Sequence, residues 1–121
     1  MRGPVAFGDV PMRLESFPAD ATEWSGLPTS LHPGESGVAT MRTRRLGEIQ
    51  LRLVEYSAGY LADHWCGKGH IVFVLEGHLV IEHQDGPAYA LTAGMSYHVA
   101  DSESRPHRVR SQNGGTIFIV D

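Results

Sequence analysis

This sequence has little cysteine and no excess of positive charge, and each of these features excludes a class of protein. Cys66 is the only cysteine among 121 residues, so no intrachain disulfide can form. Lys68 is the only lysine among ten cationic residues, and the formal net charge is -4. A protein that binds the phosphate backbone needs a coherent basic face, which this charge argues against. We therefore expect no nucleic-acid partner.

Long apolar runs are also missing. No stretch approaches the ~20 apolar residues that a membrane-spanning helix requires. The first residues, Met-Arg-Gly-Pro-Val-Ala-Phe-Gly-Asp, contain no apolar signal core. Together with the single cysteine, these features predict a cytoplasmic protein without a membrane partner.

The length allows one domain preceded by an arm. A chain of 121 residues with 41% hydrophobic content can bury roughly two thirds of its unfolded surface around a single core. Residues 1–36 show no sustained period of 2 or 3.6, which predicts an irregular N-terminal arm, and residues 37–121 form the domain. Because this arm carries Phe17 and Trp24 but has few ways to pack locally, we expect a symmetric homodimer. Five prolines interrupt the arm: Pro4, Pro11, Pro18, Pro28 and Pro33.

From residue 37 onward, short β-rich runs alternate with turn residues, and no helical period occurs. Residues 48–56 alternate Ile49, Leu51 and Leu53 against Gln50 and Arg52, as expected for a half-buried strand. Regular strand spacing of this kind is typical of a sandwich or barrel, so we predict an all-β domain. The predicted strands are 38–44, 48–56, 61–66, 70–76, 78–83, 88–91, 96–100, 106–110 and 116–120.

Glycine and asparagine mark the predicted turns. Glu76-Gly77, Asp85-Gly86 and Asn113-Gly114-Gly115 can adopt positive φ and return the chain as hairpins. Residues 71–75, which directly precede the first of these turns, are apolar on both faces. That pattern predicts a central strand.

The stretch Ala-Asp-His-Trp-Cys-Gly-Lys-Gly-His, residues 62–70, concentrates metal-binding residue types. His64 and Cys66 are two apart and share one face of a strand. If strands 61–66 and 70–76 pair as a hairpin, His70 approaches the same point inside a barrel. These donor atoms suit Zn, Fe, Cu or Ni rather than Ca or Mg. A fourth donor must come from far along the chain, and both His98 and His107 are candidates.

Simpler interpretations compete with a metal site. A lone Cys66 is most often a small buried hydrophobe. A nucleophilic dyad of Cys66 and His64 is conceivable, but nothing in the sequence supplies an oxyanion hole. The arginine clusters at 42–45 and 105–110 could grip an acidic ligand, although a solvated strand face explains them better. We interpret three further histidines as half-exposed polar residues: His32, His78 and His83.

The segment from Gly59 to Gly77 resembles the first motif of the cupin superfamily, G-x5-H-x-H-x3-4-E-x6-G. It reads Gly59, four residues, His64-x-Cys66, three residues, His70, six residues and Gly77. Cys66 stands where the motif has its second histidine, and His70 where it has glutamate. The local sequence is also similar to a branch of small single-domain cupins named for an Asp-His-Cys-Trp motif.

The second cupin motif, G-x5-P-x-G-x2-H-x3-N, is matched more weakly. Gly94 can open it, no Pro-x-Gly follows, and Ser111 replaces the asparagine. Pro106-His107 and the closing strand resemble the usual ending of the family, which favours His107 over His98. The resemblance covers residues 47–121.

The resemblance implies a cupin-type jelly-roll β-barrel. It also implies a divalent transition metal held by His64, Cys66, His70 and His107, with a small organic molecule bound in the barrel. Such a protein could be an oxygenase or isomerase, whose catalytic residues the sequence does not identify. The alternative is a non-catalytic module that binds or senses a small molecule without metal, because the fold hosts many chemistries.

Overall fold

The computed structural model describes Leu14, residues 17–103 and residues 105–121, and over these residues the regular structure is almost entirely β. The prediction of an all-β fold is confirmed. Within the described part of the chain, a short 3-10 helix occurs at Trp24–Gly26. Nine strands follow: β1 (Ser30–Pro33), β2 (Val38–Leu46), β3 (Ile49–Tyr56), β4 (Tyr60–Leu61), β5 (His70–His83), β6 (Ala88–Thr92), β7 (Ser96–Val99), β8 (His107–Ser111) and β9 (Gly115–Val120).

The strands form two antiparallel sheets that share β5. The larger sheet has the order β1-β2-β3-β9-β5-β7, and the smaller one has the order β6-β5-β8-β4. The first half of β5 belongs to the larger sheet and its second half to the smaller. Because one strand runs through both sheets, they curl around a common core as a jelly roll.

The core lies between the inner faces of the two sheets. Val54 of β3, Val74 and Leu79 of β5 and Ile117 of β9 have no exposed surface. Alternation along β3 places Arg52 and Gln50 on the same inner face as Val54. The polar residues Gln50 and Arg52 of β3 therefore face the interior toward one end of the barrel, where they can form part of a polar site.

The predicted hairpin at Glu76-Gly77 is wrong, because β5 continues through these residues. A register shift between Val74 and Glu76 marks a bulge against β9. Gly77 has φ +79°, and from His78 onward the strand pairs with β6 and β8 instead of β7 and β9. The positive φ at glycine bends the strand from one sheet into the other rather than reversing it. The turn at Asp85-Gly86 does join an antiparallel pair, β5 and β6, as predicted.

A hairpin between residues 61–66 and 70–76 is not formed either. β4 is only Tyr60–Leu61 and pairs with β8. The chain then follows β8, where the amide of Cys66 donates to the carbonyl of His107 at 2.8 Å and the amide of His107 donates back at 2.9 Å. The physical reason is that a strand has two edges, and β7 and β9 occupy both edges of the first half of β5.

Part of the predicted irregular arm is ordered on the barrel of the same chain. Residues 30–33 form β1 on the edge of β2. Arg44 pairs with Asp20 at 2.7 Å, and the ring of Trp24 meets that of Phe118 edge-on with centroids 5.8 Å apart. Residues 1–13, 15 and 16 of the arm lie outside the described residues, and the homodimer stays a prediction. Among the described residues, no helix has the length and apolarity to span a membrane.

Gly77→Ala should destabilise the fold because Gly77 crosses closely over another part of the backbone. A Cβ at Gly77 would lie 2.4 Å from the Gly114 carbonyl oxygen and 2.7 Å from the Gly115 Cα. We expect the free energy of unfolding in urea to fall by about 3 kcal/mol or more, from the clash added to the positive φ. Gly94→Ala is the matched control, because Gly94 also has positive φ, +92°, but no atom within 4 Å of its Cβ position. Gly94→Ala should lower the free energy of unfolding by only about 1–2 kcal/mol. Equal losses in the two variants would show that the close approach of Gly77 to Gly114 and Gly115 is not important for stability.

Candidate functional site

A cavity of about 510 Å³ opens between the two sheets at one end of the barrel. Its wall is mainly apolar, with Val72, Ile117 and Ile119 facing it from the core. Polar side chains interrupt this wall, among them Arg52, Tyr56, Tyr60, Cys66, His70 and His107. A mostly apolar cavity with a few convergent polar groups is the usual form of a small-molecule site.

Three donor side chains converge in this cavity. One ligand atom each of Cys66, His70 and His107 lie within 4.8 Å of one another. Cys66 Sγ is 3.9 Å from His70 Nε2, and the rings of His70 and His107 stand perpendicular with centroids 5.2 Å apart. His70 begins β5 and His107 begins β8, while the backbone bridge to His107 fixes the position of Cys66.

His107 carries a buried nitrogen without a hydrogen-bond partner. The residue is 4% exposed, and Nδ1 donates to the carbonyl oxygen of Arg105 at 3.4 Å. That bond leaves Nε2 with its lone pair, and among the described residues nothing donates to it. Nearly all buried polar atoms in proteins are satisfied, so the lone pair of this nitrogen, beside two other donor atoms, suits a site for an electrophile such as a metal ion.

His70 is oriented by a buried carboxylate. Its Nδ1 donates to Asp121 Oδ2 at 2.8 Å, and Asp121, whose side chain is 2% exposed, also forms an ion pair with Arg52. A ring protonated on Nδ1 presents the lone pair of Nε2 toward Cys66. This carboxylate–histidine arrangement is the one that commonly fixes the tautomer of a metal-binding histidine.

Burial keeps both histidines uncharged near neutral pH. Loss of hydration lowers the pKa of His70, although its hydrogen bond to Asp121 raises the pKa in part. Loss of hydration also lowers the pKa of His107, and the neighbouring His70 and His83 lower it further. Because a ligating imidazole must be deprotonated, both rings are in the form that binds metal.

The donor set fits a transition metal. Bonds of about 2.0–2.3 Å to nitrogen and sulfur around a tetrahedral ion put neighbouring donor atoms roughly 3.3–3.6 Å apart. The 3.9 Å between Cys66 Sγ and His70 Nε2 is close to that separation. One thiolate and two imidazoles suit zinc, iron, copper or nickel, and three protein ligands leave a coordination position open for a small molecule.

The structure does not bring His64 into this group. The His64 side chain is 75% exposed, and its Nδ1 lies 2.6 Å from Asp63 Oδ1. Residues 62–65 are not in a strand, so the alternation that was expected to place His64 beside Cys66 and opposite Asp63 does not apply. His98 is also outside the group: it is exposed on β7, with Tyr97 on the inner side.

Sequence reasoning missed Asp121, Arg52 and the contact between His83 and Tyr97. His83 Nε2 lies 2.6 Å from the Tyr97 hydroxyl, and the His83 ring centroid is 5.7 Å from that of His107. From the sequence, we predict a half-exposed polar residue at His83. However, His83 continues the alternation of the buried residues Leu79 and Ile81, and this pattern in the sequence indicates that it faces the interior. For Asp121 the sequence holds no local signal, because its partners lie about 50 and 70 positions earlier.

The comparison with solved structures supports the fold, and the two comparisons of sequence found nothing. No family model matches this sequence, and no curated protein matches it. Among solved structures, one described as a predicted oxalate decarboxylase from Thermotoga maritima has a TM-score of 0.70 at 13% identity, over 84% of this chain and 96% of that one. An RmlC-like cupin from Shewanella frigidimarina has a TM-score of 0.67 at 17% identity, over 88% and 92%.

A third similar structure is a sugar phosphate isomerase of the cupin superfamily from Silicibacter pomeroyi. It has a TM-score of 0.65 at 15% identity, over 84% of this chain and 74% of that one. These likenesses confirm the predicted cupin-type jelly roll.

Proposed function

We propose that this cupin-type domain binds one divalent transition metal through Cys66, His70 and His107, and a small organic molecule beside it in the cavity. The observation that carries the proposal is the buried, unpartnered Nε2 of His107 among two other donor atoms. When bound, such an ion supplies a Lewis acid or an oxygen-binding centre, which suits an isomerase or an oxygenase.

Several residues at the cavity have distinct roles in the proposed function. Cys66 supplies the only anionic ligand of the group. Asp121 holds the tautomer and orientation of His70. The apolar wall of the cavity excludes water from the bound molecule, which strengthens polar contacts inside it. His64 and Asp63, on the exposed rim of the cavity, are positioned to meet a molecule that enters.

Tyr97 is a candidate proton donor in the cavity. It lies on the cavity wall, and its hydroxyl meets His83 Nε2 at 2.6 Å. Burial raises the pKa of Tyr97 to about 12, so that the phenol stays protonated at neutral pH. His83 also borders a second cleft on the far side of Tyr97, which would let it exchange a proton with solvent.

Metal analysis of untagged protein tests the proposal. We expect close to one equivalent of metal per chain by elemental analysis, removed by a strong chelator and restored by added ion. Loading the metal-free protein with Co²⁺ should give an intense near-ultraviolet band from thiolate ligation by Cys66, together with visible bands of a tetrahedral ion. Protein without stoichiometric metal that also gives no thiolate band with Co²⁺ would leave the metal-free binding module as the function.

A further inference from the structure

Arg52 presents unused hydrogen-bond donors at the cavity. Its side chain is 17% exposed and lies on the cavity wall. Among the described residues, Nη2 is the only one of its nitrogens that meets an oxygen, that of Asp121. Nη1 meets the thioether sulfur of Met41 at 3.8 Å, and Nε is buried without a partner among the described residues. A guanidinium is built to bind a carboxylate with two parallel hydrogen bonds, so this one is largely unsatisfied.

Two phenols that line the same cavity are also free to donate. The rings of Tyr56 and Tyr60 lie 4.7 Å apart, and both line the cavity. Within the described part of the chain, neither hydroxyl forms a hydrogen bond with another residue. Burial raises the pKa of both groups, so that they remain protonated donors at neutral pH.

We propose that the organic molecule bound in the cavity is a small monocarboxylate whose carboxylate group is held by Arg52 and the Tyr56–Tyr60 pair. Met41 occupies the place of a carboxylate oxygen at Nη1, and a flexible thioether, which is a weak acceptor, is easily displaced. The apolar part of the molecule lies against the core side chains that face the cavity, such as Val72 and Ile117.

The charges of the site favour the same ligand. Arg52 and Asp121 cancel one another. Of the other charged residues that line the cavity, Arg108 forms an ion pair of its own, and the Asp63 side chain is 59% exposed to solvent. In the metal-loaded form, which rests on the function proposed above, a divalent ion and the Cys66 thiolate leave one positive charge. An isolated charge in an apolar cavity is costly, and a monoanion neutralises it. A neutral molecule would leave the charge uncompensated.

Matched pairs of acids and amides test this inference. We propose isothermal titration calorimetry with acetate against acetamide and with benzoate against benzamide, on metal-free and on Zn²⁺-loaded protein. For at least one pair the carboxylate should bind about tenfold or more tightly than its amide, since hydrogen bonds to a charged partner are worth about that factor. The preference should be smaller without metal, where Asp121 already neutralises the charge of Arg52, and should increase with metal.

Substitutions identify the residues that cause the preference for a carboxylate over its amide. Arg52→Gln should reduce the ratio of carboxylate to amide affinity to near one. Because that change also removes the partner of Asp121, Tyr60→Phe provides an independent measurement and should weaken carboxylate binding about threefold or more while leaving the amide nearly unaffected. Tyr89→Phe is the matched control, since Tyr89 is 44% exposed outside this cavity, and it should change neither affinity.

The outcomes separate this inference from the metal proposal. No preference for the carboxylate of either pair in either form, or an unchanged preference in both Arg52→Gln and Tyr60→Phe, overturns the carboxylate ligand, even if Zn²⁺ binds. A preference that persists in protein unable to bind Zn²⁺ supports the carboxylate ligand and overturns only the metal site.

Discussion

His107→Ala is expected to abolish stoichiometric metal binding. The variant removes the buried Nε2 that has no other partner and leaves only Cys66 and His70 as donors of the group. Two remaining ligands cannot hold a divalent ion against water at the same affinity. By elemental analysis, and by titration with Co²⁺ followed by absorbance, the variant should retain less than about a tenth of the metal of the wild type.

The same substitution should also remove the dependence of stability on metal. A ligand that binds only the folded state stabilises it by RT ln(1 + [L]/Kd), about 4 kcal/mol at a thousandfold excess over Kd. Chelation should therefore lower the melting temperature of the wild type markedly and leave that of His107→Ala unchanged.

His98→Ala is the control for both measurements. His98 is exposed on β7, outside the donor group, and its replacement should leave metal content and chelator sensitivity as in the wild type. Metal retained by His107→Ala, or lost from His98→Ala, would contradict the assignment of His107 as the distal ligand.

Asp121→Asn is expected to weaken metal binding about ten- to hundredfold. The carboxylate accepts the Nδ1 proton of His70 at 2.8 Å and is itself buried. Asparagine keeps the size of the side chain but removes the negative charge that favours this tautomer and raises the basicity of Nε2. The dissociation constant for Zn²⁺, measured by competition with a chromophoric chelator, should rise accordingly.

Two observations distinguish a change at His70 from a general loss of structure. Nitrogen NMR of metal-free protein should show the Nδ1–H tautomer of His70 in the wild type and a mixture of tautomers in Asp121→Asn. Asp63→Asn is the matched control, because Asp63 pairs with the exposed His64, and it should change the affinity for Zn²⁺ less than about twofold. An unchanged tautomer and affinity in Asp121→Asn would refute the orienting role of Asp121.

Local patterns in the sequence predicted the strands well and their connections less well. The runs 38–44, 48–56 and 116–120 correspond to β2, β3 and β9 within a few residues. Alternation and turn residues are properties of neighbouring positions, so they can be read from the sequence. Whether Gly77 reverses the chain or bends it into a second sheet depends on which strands lie beside it, and those strands come from residues 88–120.

Local sequence patterns likewise predicted one part of the candidate site and failed for another. The spacing of Cys66 and His70 and the resemblance at His107 selected three residues whose donor atoms lie together in the structure. His64 entered the predicted group because a strand was expected at 61–66. The structure instead turns that segment along β8, leaving the His64 side chain 75% exposed.

The sequence by itself determined that the chain is an all-β domain with a cupin-type pattern and a cluster of potential metal ligands, because composition, alternation and motif spacing are local. Only the tertiary structure decided that Asp121 orients His70 and that Arg52 faces the cavity. Those contacts join residues 51 and 69 positions apart. They exist because the registers of β3, β5 and β9 bring these residues to the same end of the barrel, and strand register is fixed by the packing of the whole core.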